Sequence, residues 1–158
     1  MKKIILKRKS IFFISSSIFL IDQLSKSSVI HLLSDKYFFQ LVPQVIHFRI
    51  VRNTGAAFSL FNNATPILSF LSLCVSLGLI VWIYQSKPLP IWKGLGISFL
   101  LGGCTGNGLD RLRLGYVNDF IELIPVNFPI FNFADIAINI AVICLLIDSF
   151  SKRKIHST

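Results

Sequence analysis

Apolar positions gather into four long blocks, at residues 10–33, 64–84, 90–109 and 133–150, and polar residues fall mainly between them. Each block is close to the ~20 residues a helix needs to cross a ~30 Å hydrocarbon core. Helices suit that task because lipid offers no partner to backbone N–H and C=O groups. The joins are unequal: 85–89 is a short turn, whereas 34–63 and 110–132 are long. Within the long joins, 38–50 carries Phe39, Leu41, Val45, Ile46, Phe48 and Ile50, interrupted by Pro43. It and 116–124 are rich in aromatic and β-branched residues, which favour strands. The pattern predicts an all-α membrane protein, four transmembrane helices with a small extracytoplasmic β-rich cradle, as a single integral membrane domain over 1–158.

Composition agrees. Hydrophobic side chains make up 53% of the chain and charged ones 15%, and mean hydropathy is +0.69. Soluble domains carry about 25% charged residues. The net charge of +9 is placed at particular ends. Lys2, Lys3, Lys7, Arg8 and Lys9 precede the first block; Lys87 and Lys93 lie by the short turn; Lys152, Arg153 and Lys154 follow the last block. Such clusters stay on the cytoplasmic side, so both termini and the short turn are expected inside and the two long joins outside. Trp82 and Trp92 flank the inner turn, as interfacial aromatics do. Nucleic acid is not an expected partner, because the basic residues border spans rather than forming a stripe. The first block starts like a signal peptide but lacks a small-x-small site, and Asp22, Gln23 and Lys26 continue it; it is read as a retained span.

Several chemistries are disfavoured. Cys74, Cys104 and Cys144 lie inside apolar blocks, are odd in number and form no C-x-x-C pair, so they read as apolar filler. No H-E-x-x-H occurs, and His31, His47 and His156 are scattered. Ser25 and Lys26 are helix neighbours and point to different faces, against a Ser/Lys dyad. No metal or organic cofactor is expected.

The acids carry more information. Asp22 falls roughly 18 Å into the first span, past the midplane. A carboxylate there is costly unless paired, and Lys26 shares its helix face. An Asp22–Lys26 ion pair that fixes packing is favoured over direct contact with chemistry. Arg52 to Ser59 (RNTGAAFS) is a small-residue cluster that alone reads as a turn. Gly102 and Gly106 form a small-x-x-x-small pair suited to close helix contact, and Asn107, Asp110 and Arg111 follow at the outer end of that span. Asp135, in the first turn of the fourth helix, reads equally well as a helix cap. Of the seven acids, Asp22, Asp110, Asp119, Glu122 and Asp135 map to the outer half or surface, Asp148 maps inward, and Asp35 sits just outside the first span. Asp119 and Asp135, each flanked by apolar residues, have the pattern of a proton-sharing pair for aspartic proteolysis. A proton-coupled carrier would place acids at mid-depth in several helices, often with inverted repeats, and no repeat is visible. A lipid-binding subunit without chemistry is the third class.

Five segments resemble the motifs of the prolipoprotein signal peptidases, also called signal peptidase II. They are Asp22-Gln23-Leu24-Ser25-Lys26, Asn53-Thr54-Gly55-Ala56-Ala57-Phe58, Gly106-Asn107-Gly108-Leu109-Asp110-Arg111, Val117-Asn118-Asp119-Phe120 and Phe131-Asn132-Phe133-Ala134-Asp135. They stand in the family's order and cover most of the chain. The resemblance implies that Asp119 and Asp135 are the catalytic pair. It implies that Asn53, Asn107, Arg111 and Asn132 bind substrate, with Asp22, Lys26, Gly55, Asp110 and Ala134 in support. It further implies a membrane aspartic endopeptidase that cleaves diacylglyceryl-modified prolipoproteins just before the lipidated cysteine, in the bacterial cytoplasmic membrane with its site near the outer face. Globomycin-type inhibitors and membrane lipid would be its other partners, and a monomer is expected. Gly108 and Asn118 depart from the bulkier apolar and the small apolar residues usual at those positions. The connection from Asp119 to Asp135 is short and carries Pro125 and Pro129.

Overall fold

The computed structural model describes residues 4–34, 37–55, 64–126 and 128–156, the side chains of 152–156 excepted. Four helices dominate: α1 (Arg8–Leu32), α2 (Thr65–Gln85), α3 (Ile91–Leu114) and α4 (Phe133–His156). The five strands are β1 (Ile5–Leu6), β2 (Phe39–Val42), β3 (Ile46–Asn53), β4 (Leu89–Pro90) and β5 (Val117–Leu123). Two helix segments, Thr65–Gln85 and Phe133–Ser151, are long and apolar enough to cross a membrane. α1 and α3 are long enough too, but carry the polar groups described below.

α3 packs against all three other helices, and its glycines explain how. A Cβ on Gly102 would meet Ile18 and the Ser15 carbonyl of α1 at 2.8 Å; on Gly103 it would meet the Ala134 carbonyl of α4 at 2.7 Å; on Gly108, Ser72 of α2 at 2.9 Å. Among lipid-surrounded helices such backbone approach supplies packing that the hydrophobic effect does not. The helix overruns its apolar block and stops at Gly115, whose φ of 80° is left-handed and whose N–H caps the Arg111 carbonyl at 3.1 Å.

The strands form two antiparallel sheets. β1 and β4 pair over two residues, with Ile5 opposite Pro90 and Leu6 opposite Leu89. Nearby, Arg8 Nη1 donates to the Tyr84 carbonyl at 2.7 Å and so satisfies the end of α2. The larger sheet has the order β2-β3-β5. Its hairpin turns at Pro43 and Gln44, with Gln44 at φ 60° and a Val45 N–H to Val42 carbonyl bond of 3.0 Å. Ile121 of β5 also bridges Phe131 on the far edge. That bridge brings Phe131 back to β5 and so delivers Asn132 beside it.

The apolar core is divided. Ile11, Ile83, Leu89, Ile97 and Leu101 form one cluster. Val29, Leu33, Phe120 and Ile121 form the other, beneath the sheet residues Phe39, Ile46 and Phe48. Along α1 the stretch between these clusters holds Asp22 and Lys26, at the level of a buried polar layer.

Candidate active site

Asp22 and Lys26 are 0% and 3% exposed, so each must be paired within the protein. Lys26 Nζ lies 2.8 Å from Asp22 Oδ2 and 2.9 Å from Asp110 Oδ2 of α3. It also donates to Asn107 Oδ1 at 3.0 Å. The Asp22–Lys26 pair expected from helix spacing is therefore present, and it extends to a second helix. The other Asp22 oxygen accepts the Ala134 N–H at 3.0 Å, which sets a carboxylate at the N-terminus of α4, where the helix dipole favours it. Gly106 is small for the same reason: a Cβ there would stand 2.5 Å from Asp22 Oδ2. Gln23 belongs to this layer as well, its Nε2 donating to Asp110 Oδ1 at 3.1 Å and to Gly106 O at 3.3 Å. Sequence reasoning quoted Gln23 but gave it no role; an amide in an apolar span was the available signal.

The second half of the layer holds Asp119, from β5, and Asp135, from α4. Asn132 joins them. Its Nδ2 donates to Asp119 Oδ1 at 2.6 Å, and its backbone N–H donates to Asp135 Oδ2 at 3.1 Å. In return the Asp135 N–H donates to Asn132 Oδ1 at 3.0 Å. This is a reciprocal capping box, with Asn132 as cap and Asp135 three residues on. The helix-cap reading of Asp135 thus holds alongside its place in the acid pair. The remaining carboxylate oxygens are held by Asn53 Nδ2 to Asp119 Oδ2 at 2.9 Å and Asn107 Nδ2 to Asp135 Oδ1 at 2.8 Å. Asn53 is oriented by accepting the Gly55 N–H at 2.9 Å, and Arg111 Nη2 donates to the Gly55 carbonyl at 2.9 Å. All eleven site residues named from the sequence therefore fall in one connected network. Ala56, Ala57 and Phe58 of the second motif, and Asp35, lie outside the described residues.

Electrostatics set Asp119 apart from an ordinary carboxylate. Burial first, and then the charge of Asp135, push the Asp119 carboxyl up to about 6; the hydrogen bonds from Asn53 and Asn132 oppose the rise. Both acids line a cleft of about 1280 Å³. Its polar wall includes Arg52, Asn53, Asn107 and Arg111, and its apolar walls include Leu68 and Leu71 of α2 and Ile136, Ile140 and Ile143 of α4. Asn132 is fully buried behind this surface. Both its N–H bonds and its carbonyl are engaged, since Nδ2 also donates to Asn107 Oδ1 at 3.1 Å. Asn53 and Asn107 line the cleft, and each has a second amide N–H without a partner among the described residues. Among the described residues no group of three or more His, Cys, Asp or Glu is placed to hold a metal ion.

Two carboxylates held by shared amides within an apolar helical frame are an arrangement that aspartic proteolysis can use. The family model for signal peptidase (SPase) II matches residues 14–151. The lipoprotein signal peptidase of Parasynechococcus marenigrum (strain WH8102) is 48% identical over 149 residues, 94% of each chain. That of Synechococcus sp. (strain RCC307) is 43% identical over 93% of this chain and 98% of its own. A bacterial membrane enzyme solved by the in meso method at 2.3 Å superposes with a TM-score of 0.83 at 24% identity, covering 97% of this chain and 94% of that one. The chain belongs to the signal peptidase II family and is an aspartic peptidase with lipoprotein signal peptidase activity.

Proposed function

We propose that Asp119 and Asp135 are the catalytic pair, and that they hydrolyse the bond just before a diacylglyceryl-modified cysteine in a prolipoprotein. The observation that carries this reading is Asn132, which bonds both carboxylates at once and fixes their relative placement. Close carboxylates do not both ionise readily, so the pair keeps one proton. The raised Asp119 carboxyl supports that sharing. The ionised member takes a proton from water, and the water oxygen attacks the scissile carbonyl. The protonated member donates to the carbonyl oxygen. Collapse of the tetrahedral intermediate returns a proton to the leaving amine. Arg111 and the free N–H groups of Asn53 and Asn107 line the cleft and hold substrate backbone. Asn132 acts through the two acids it positions. Asp22, Lys26, Gly55, Asp110 and Ala134 hold the frame.

All four helices span the membrane in this reading, as one domain with both termini cytoplasmic. The polar faces of α1 and α3 turn into the protein, which accounts for their lower apolarity. The strands lie as a cradle at the outer face. The acids then sit at the depth where acyl chains hold a lipidated cysteine. The apolar walls from α2 and α4 receive those chains, and globomycin-type inhibitors compete for the same cleft.

A diacylated substrate peptide incubated with purified protein in bicelles tests this by mass spectrometry. Cleavage before the modified cysteine is expected, with globomycin blocking it. Asp119→Asn and Asp135→Asn should each abolish cleavage while the protein stays folded and inserted. Either variant cutting at the wild-type rate, or equal cutting of unlipidated peptide, would refute the reading.

A further inference from the structure

Between Asp135 and Asp148 every residue of α4 is aliphatic or cysteine except Asn139. An amide in an apolar span is costly unless its groups find partners. Asn139 is exposed on the helix, lines the cleft, and makes one hydrogen bond there, from Nδ2 to the Asp135 carbonyl at 3.0 Å. A carbonyl only accepts, so this bond fixes which end of the amide is nitrogen. Among the described residues the second Nδ2 hydrogen has no partner, and the residue lines the cleft. At 1.5 Å per residue the side chain is anchored about 6 Å deeper than Asp135. The cleft it lines is also walled by Ile136, Ile140 and Ile143 of α4 and by Leu68, Leu71 and Ser72 of α2.

We propose that Asn139 is a specificity-determining residue whose amide donates a hydrogen bond to an ester carbonyl of the substrate's diacylglyceryl group. This rests on the proposed cleavage before a lipidated cysteine. With the scissile bond at the acids, the glyceryl group hangs from the cysteine sulfur a few covalent bonds away, toward the apolar end of the cleft. The polar atoms of that portion are ester oxygens, which accept and never donate. The spare N–H of Asn139, set among largely aliphatic lining residues, matches them.

Two lipopeptides of one sequence provide the test, one with ester-linked chains and the other with ether-linked chains that lack the carbonyls. In the wild type, replacing ester by ether should lower kcat/KM by roughly threefold to tenfold, mainly through KM, which is the range of one hydrogen bond. Asn139→Leu should show that lower value on the ester substrate and less than about twofold discrimination between the two. Asn139→Gln, which keeps the amide, should recover part of the preference; Asn139→Ala serves where the Leu variant does not fold. An ester-to-ether ratio in Asn139→Leu equal to that of the wild type overturns the proposal. So does an equal fall in kcat on both substrates, which would mean that Asn139 only supports Asp135. A wild type that cleaves neither lipopeptide counts against the proposed cleavage itself, whereas one that cleaves both equally counts against Asn139 alone.

Discussion

Asp119 shows how one side chain joins chemistry to stability. Its carboxyl is pushed from the ordinary 3.8 up to about 6, so the fold favours the protonated form. The stabilisation linked to that proton is fully present below 3.8 and is lost as pH rises through 6. A shift of that size corresponds to about 3 kcal/mol. Asp119→Asn removes the titration but introduces a donor opposite Asn53 Nδ2, and Asn53 cannot readily turn because its carbonyl holds the Gly55 N–H. That mismatch costs about 1–3 kcal/mol at every pH. The two effects separate by their pH dependence. Relative to wild type, Asp119→Asn should gain up to about 3 kcal/mol between pH 4 and pH 7. Unfolding midpoints of both proteins across that range would show it; a difference that stays flat means that Asp119 ionises in the fold as it does in the unfolded chain.

α3 is the element on which the frame depends, and one of its glycines can be tested against a glycine of α2. Gly106 faces Asp22, and Asp22 is pinned by Lys26 and the Ala134 N–H, so it cannot yield to a new methyl group. Gly106→Ala should destabilise by about 2–3 kcal/mol through overpacking, and peptidase activity should fall with it. Gly78, on α2, has nothing within 4 Å of where a methyl group would stand, and Gly78→Ala should be neutral or stabilising by up to about 1 kcal/mol. Thermal midpoints of the two variants in one detergent decide the matter, and equal shifts would remove the packing explanation. The sequence made the Gly102 and Gly106 spacing visible, but not which neighbour each residue meets, because that depends on helix order around α3. The strands of the larger sheet were legible from their β-branched and aromatic content. The β1–β4 pair was not, since two residues carry no periodicity. The reach of α3 to Leu114 was hidden because its last turns are polar.

At the scale of the molecule, the four helices were legible because long apolar blocks stand out, and Asp119 and Asp135 drew notice as isolated charges beside them. The convergence was not legible: Asn132 as both cap and bridge, and Gln23 as a link to α3, depend on chain segments distant in sequence. What unites them is the polar layer between two apolar clusters, and Lys26 is its centre. One ammonium meets Asp22, Asp110 and Asn107, and Asn107 in turn holds both Asp135 and the Asn132 amide. Lys26→Met keeps much of the volume but leaves two buried carboxylates facing each other without their cation. Breaking such a pair costs about 3–5 kcal/mol, more than one lost hydrogen bond. Adding Asp110→Asn removes one of the stranded charges and should recover part of that loss, whereas activity should stay low because Asn107 Oδ1 keeps only the Asn132 donor and loses the Lys26 anchor. Unfolding midpoints and cleavage rates for the single and double variants separate the two effects. Were Lys26→Met as stable and as active as wild type, the buried layer would be incidental, and the placement of Asp135 would have to come from the capping box alone.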